Sequence, residues 1–224
     1  MTTVENASER LWKRLNFFGV LAGILTLLLP FLGPWWHFTI GTDGGIFSIR
    51  ASPFELQFQS LILNKQISTA ETTASFFPLF WWLNLAFKLC YVYFGVALLA
   101  GSLLSLSEKH AESAETLVRF SSLKLLWLVV AFVIVLFITT FIVNSAPKLT
   151  GGAISEDFSI PFVGVKWLTM PFTMPYGNFR ISAPIDVGFT SIFAVAVIAS
   201  ALGIAARIYQ KRMGYHPHEK PQVQ

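Results

Sequence analysis

The stretch LKLLWLVVAFVIVLFITTFIVN, Leu123–Asn144, carries one charged side chain, Lys124 in its first turn, and neither glycine nor proline. As an α-helix it is about 33 Å long, enough to cross about 30 Å of hydrocarbon, where only a backbone bonded to itself is tolerated. A membrane crossing is the reading of this stretch, and the rest of the chain is organised around it. Three further apolar runs reach the same length: Leu15–Trp36, Phe77–Leu106 and Val187–Ile208. The expected fold is therefore an all-α membrane protein, a four-transmembrane-helix bundle.

Composition agrees. The 224 residues are 54% hydrophobic and only 12% charged, where a soluble domain carries about 25% charge. The net charge of +4 does not mark a nucleic-acid binder, because the basic residues sit at the ends of apolar runs and form no patch interleaved with aromatics. Cys90 is the only cysteine, so no internal disulfide is available, and it reads as a small buried hydrophobe. The first run follows Arg10, Lys13 and Arg14, as in a signal peptide. It is longer than such a segment's apolar stretch and ends in Leu-Gly-Pro-Trp-Trp rather than small residues, so it reads as an uncleaved helix.

Lysine and arginine set the orientation. Residues 1–14 (Arg10, Lys13, Arg14), the hairpin 107–122 with the adjoining helix end (Lys109, Arg119, Lys124), and the segment from Arg207 through the tail 209–224 (Lys211, Arg212, Lys220) hold ten. The longer loops 37–76 and 145–186 hold five: Arg50, Lys65, Lys148, Lys166 and Arg180. The expectation is a multi-pass protein of the cell membrane with N- and C-termini cytoplasmic, a disordered tail, and two outer loops. Trp35-Trp36 and Trp81-Trp82 read as anchors at the outer interface.

Both loops are too long to be plain connectors. His37–Ile40 and Ile46–Ile49 flank Gly41-Thr-Asp-Gly-Gly45, a hairpin signal, and Glu55–Gln59 alternates as a third strand. The second loop, broken by Pro161, Pro171 and Pro175, reads as short extended segments around Phe158–Ile160 and Gly177–Ile181. Gly-x-Phe-x-Ile-x-Ala occurs in both loops, at Gly45–Ala51 and Gly177–Ala183. A small β-rich extracellular cap is expected from these segments. Two helix-loop-helix pairs with a β-rich first loop and both termini inside form a layout that resembles the claudins and related tetraspan proteins. That family's Gly-Leu-Trp sequence and cysteine pair are missing between Trp36 and Phe77, so the resemblance implies an interaction scaffold and assigns no residue a role.

Lys88 is the one ionisable side chain deep within a span, costly enough there to need a reason. Asn84 precedes it by one turn, and Tyr91, Gly95, Ser102 and Ser105 continue the stripe, so the polar and small residues share one face. Asn84, Lys88 and Tyr91 are the candidate contacts for a ligand or partner: an anionic or carbonyl-bearing group, a lipid headgroup, a quinone or a carboxylate. The alternative is that Lys88 snorkels to the outer interface. Asp186 reads as a favourable charge at the start of the last helix. Small residues spaced for close helix packing are Gly19, Gly23, Gly95, Gly101, Ser200 and Gly203. The third run, rich in Leu, Val, Ile and Phe, reads as lipid-facing.

Four scattered histidines, no phosphate loop and no paired carboxylates give no catalytic set, no metal site and no expected cofactor. The leading expectation is a non-enzymatic membrane scaffold or accessory subunit. Its expected partners are membrane lipid and other membrane-protein subunits or further copies of itself, with no nucleic acid. A lipid- or quinone-binding protein using the Asn84/Lys88 face is the alternative, and a small channel or transporter a third reading.

Overall fold

The computed structural model describes residues 15–41, 47–60, 65–68, 78–149, 159–174 and 177–213. Among the described residues, four helices, α1 (Phe17–Leu28), α2 (Pro78–Leu104), α3 (Ala111–Leu149) and α4 (Ser191–Met213), accompany six strands. These are β1 (Trp36–Ile40), β2 (Phe47–Ser52), β3 (Glu55–Ser60), β4 (Lys65–Ser68), β5 (Gly164–Met174) and β6 (Gly177–Phe189). Asn84–Leu104, Ala111–Ser145 and Ser191–Arg212 are long and apolar enough to cross a membrane, the mark of a helical membrane protein. The helix of α1 is shorter, rising about 18 Å before a 3-10 turn at Leu29–Phe31. Gly33 then takes φ 109°, a conformation open to glycine, and the chain enters β1.

Apolar runs and helices do not end together. Trp36, read as the close of the first run, opens β1, and Val187, read as the start of the last, belongs to β6. Helix α4 begins only at Ser191, so Asp186 is a strand residue and not the helix-start charge expected for it. Helix α3 also starts earlier than its apolar run, taking in most of the hairpin expected at 107–122, and is about 58 Å long.

The chain forms two compact units. The first, from Met1–Phe31, Lys88–Val129 and Val195–Gln224, is a four-helix bundle whose core takes one residue from each helix: Ala22, Leu98, Val118 and Ala206. Small residues let the backbones close in a ring. Between α1 and α2, a Cβ on Gly23 would lie 3.1 Å from the Gly95 carbonyl and one on Gly95 would lie 2.7 Å from Leu27 Cγ. Gly101 meets the Ala114 carbonyl of α3, and Gly203 of α4 faces Ser122 of α3 at 3.5 Å. Asn16, at the start of α1, closes the ring onto α4 through the Ala206 carbonyl at 2.9 Å. Three buried hydroxyls inside the bundle return to their own helix: Thr26 donates to the Ala22 carbonyl, Ser102 to Leu98 and Ser200 to Ala196.

The second unit, Leu32–Phe87 with Val130–Ala194, holds one antiparallel sheet in the order β4-β3-β2-β1-β6-β5. The central strand β1 pairs with β2 on one side (Phe38 opposite Ile49) and β6 on the other (Phe38 opposite Val187), so the two loops build a single sheet. The two segments with the repeated Gly-x-Phe-x-Ile-x-Ala pattern contribute to β2 and β6, the neighbours of β1. Alternation gives the sheet an apolar face, with Phe38, Leu168, Ile185 and Val187 buried beside Trp36, Ile40, Phe47, Ile49 and Ile160. The opposite face carries His37, Thr39, Arg50, Gln57 and Asp186.

An aromatic chain fills the base of this unit. Trp35, expected as an interfacial anchor, is 0% exposed and stands edge-on to Phe54 and Phe132, near Phe193. Phe193 stacks on Phe189, which meets Phe162, which meets Phe137. Asn144 clamps the segment before β5 from both sides, accepting from the Ile160 N–H at 2.7 Å and donating to its carbonyl at 2.9 Å.

Candidate functional site

The stripe read along α2 is an inward face in the bundle, where Tyr91, Gly95, Leu98 and Ser102 are buried. Its first two members are less enclosed: Asn84 and Lys88 are half-buried. The Asn84 side-chain oxygen is shielded from solvent and has no hydrogen-bond partner among the described residues. Lys88 makes no ion pair among the described residues. Cys90, expected to be buried, is exposed, as its place on the other side of the helix requires. A shielded amide oxygen costs about 1–3 kcal/mol when unpaired, so a donor is favoured there.

Four of the six small residues lie at close helix approaches. Gly19 faces the Ser102 hydroxyl, Gly23 faces Leu99 and the Gly95 carbonyl, Gly95 faces Leu27, and Gly101 faces Leu117 and Val118. Gly203 has more room, its nearest neighbour being Ser122. Ser200 is buried but spends its hydroxyl on its own helix.

The exposed apolar surface is uneven. Only 6% of the apolar window of α3 is buried, against 33% for α2 and 28% for α4, so α3 presents Ile134, Val135, Phe137, Ile138, Phe141 and Ile142 outward. In a membrane protein such a wall is satisfied by lipid or by another apolar helix.

On the sheet, β5 is an end strand, and Val165 and Trp167 stand 67% and 65% exposed on the otherwise polar face. Beyond them Thr169 and Ser182 share a hydrogen bond of 3.0 Å. Pro171 falls inside β5, which an edge strand tolerates because no partner needs its missing N–H. His37 and Asp186 meet on the same polar face, 3.4 Å apart and partly exposed, a surface pair worth about 0–1 kcal/mol. The alternation Val163-x-Val165-x-Trp167 was present in the sequence as a strand signal; its edge position was not. No protein-family model matches the chain, and no curated protein matches it in sequence.

Proposed function

We propose that this protein is a non-enzymatic membrane scaffold or accessory subunit that crosses the bilayer four times with both termini in the cytoplasm. Its sheet, on the outer side, docks partner membrane proteins or a second copy of the chain. The orientation rests on the lysine and arginine distribution. The docking reading rests above all on β5, which among the described residues is an end strand with one edge unpaired, and which exposes Val165 and Trp167 beside it. An extended segment added to that edge gains main-chain hydrogen bonds, while the tryptophan supplies a large rigid contact.

In mild detergent the protein is expected to migrate as a stable complex with a partner or with itself. Trp167→Ser with Val165→Ser is expected to release that mass while shifting folding stability by no more than about 0.5 kcal/mol, since both side chains are exposed. A wild-type chain that runs as a monomer and carries a defined lipid or quinone would sink this reading.

The Asn84 oxygen, shielded and without a partner among the described residues, supports the second reading, a lipid or quinone held near Asn84 and Lys88. Lys88→Met is then expected to lower the amount of co-purifying lipid or quinone at least several-fold. Unchanged occupancy in a well-folded variant removes this alternative and leaves Lys88 a snorkelling side chain.

A further inference from the structure

Within the bundle, a cavity of about 200 Å³ is lined by Glu115, Val118 and Arg119 of α3 and by Arg207, Gln210 and Lys211 of α4. Three of these six side chains are cations, and none of the three forms an ion pair among the described residues. Glu115 is the single carboxylate in the lining, so the cavity carries a surplus of positive charge. A basic side chain at the end of α4 is favourable for that helix's dipole, but the dipole gives no reason for Arg119 to face the same space from α3.

A neutral donor is also held there by a fixed relay. Asn16 accepts from the Gly19 N–H at 3.1 Å through its side-chain oxygen. Its amide nitrogen donates to the Ala206 carbonyl at 2.9 Å and to Gln210 Oε1 at 3.1 Å. Backbone partners on both sides settle which way the Asn16 amide points, because an N–H only donates and a carbonyl only accepts. Gln210 must turn its oxygen toward Asn16, which leaves its Nε2 hydrogens directed away from that bond. Gln210 is only 5% exposed and lines the cavity.

Two guanidinium groups, an ammonium and an amide N–H around one small space are a donor set for an oxyanion, with arginine geometry suited to phosphate. The cavity is larger than a few waters at about 30 Å³ each and smaller than the roughly 300 Å³ that encloses a drug-sized molecule. A phosphate headgroup fits; a whole lipid does not. What favours a lipid over a dissolved anion is the surface next to it. A groove of about 530 Å³ on α3 shares Glu115 and Arg119 with the cavity and continues past Phe120 and Leu123 to Trp127. Phe120 and Trp127 are exposed there, so a chain leaving the headgroup meets apolar surface.

We infer that this pocket binds the phosphate of an anionic membrane phospholipid, with Arg119, Arg207 and Lys211 on the phosphate oxygens and Gln210 Nε2 as the neutral donor. Basic pockets between membrane helices recognise such headgroups electrostatically. The pocket shares no residue with the sheet or with Asn84, so it stands or falls independently of the docking reading.

The test is binding to the full chain in neutral detergent, followed by native mass spectrometry and thermal shift, with phosphatidylglycerol, phosphatidylcholine and inorganic phosphate as probes. Phosphatidylglycerol is expected to bind at least tenfold tighter than phosphatidylcholine. Arg207→Gln and Arg119→Gln should each weaken it about fivefold, and Arg207→Lys should restore most of the loss. Glu115→Gln, which removes the carboxylate of the cavity lining, should tighten binding, and this exposed site keeps the test decisive if an arginine variant does not fold. Equal binding of the two lipids, insensitivity to all these substitutions, or inorganic phosphate binding as tightly as phosphatidylglycerol would each overturn the assignment, the last by making it a site for a soluble anion.

Discussion

Gly95→Val is expected to lower the thermal unfolding midpoint in detergent by on the order of 10 °C. A Cβ at Gly95 would sit 2.7 Å from Leu27 Cγ, 2.9 Å from its Cδ2 and 3.1 Å from its backbone nitrogen, so backbone as well as side chain must yield. Alanine in place of a helical glycine gains up to about 1 kcal/mol of propensity, whereas overpacking costs about 1–3 kcal/mol. The clash therefore decides the sign, and valine adds two more methyl groups to it. Gly23 faces the Gly95 carbonyl at 3.1 Å, so Gly23→Ala and Gly95→Ala should be non-additive, as for any pair in contact. Gly203→Ala supplies the opposite outcome: its nearest neighbour is 3.5 Å away, and the substitution should stabilise by a few tenths to about 1 kcal/mol. A Gly95→Val protein that melts with or above the wild type would remove the close α1–α2 crossing from this description.

Trp35→Ala is expected to cost about 3–5 kcal/mol, the range for truncating a fully buried aromatic. Trp35 is enclosed by Phe54, Phe132 and Phe193. Its backbone is held at both groups, the N–H by the Ala51 carbonyl at 2.8 Å and the carbonyl by the Thr190 N–H at 2.9 Å. The loss is felt where β1, the β2–β3 turn and the start of α4 meet. Trp82→Ala, on a tryptophan 62% exposed, should change stability by no more than about 0.5 kcal/mol. Chemical denaturation of the two variants in one detergent separates them, and equal effects would contradict the burial of Trp35.

Both residues show how far the sequence could be read. Gly95 falls on the inward stripe of α2 by helical spacing alone, because that stripe needs only the 3.6-residue period. In the sequence Trp35 reads with Trp36 as an interfacial pair. A Trp-Trp dipeptide after an apolar run looks the same whether it floats in headgroups or begins a sheet. The same ambiguity stretched the first and last runs past their helices: Trp36, Val187 and Phe189 are apolar because they are strand residues on the inner face of the sheet. Hydropathy sums over a window and does not distinguish a helix from a buried strand joined to it. Asp186 suffered in consequence, since misplacing the start of α4 made a strand residue look like a helix cap.

The lipid pocket was invisible for a different reason. In the sequence Arg119, Arg207 and Lys211 each read as cytoplasmic charge. Nothing in their spacing says that residues some ninety positions apart line one cavity, or that Asn16 orients Gln210 toward it.

The sequence by itself determined the membrane class, the inward stripe of α2, the outward apolar wall of α3 and the alternation of the strands. Each is a local periodicity written into adjacent residues, and the solvent on either side enforces it. Only the tertiary structure decided that β1 joins β2 to β6 in one sheet, that Trp35 is core, and that α3 and α4 bring three cations together. Those are pairings between distant segments, selected by shape and register once the chain has folded, and no single stretch of sequence contains both partners.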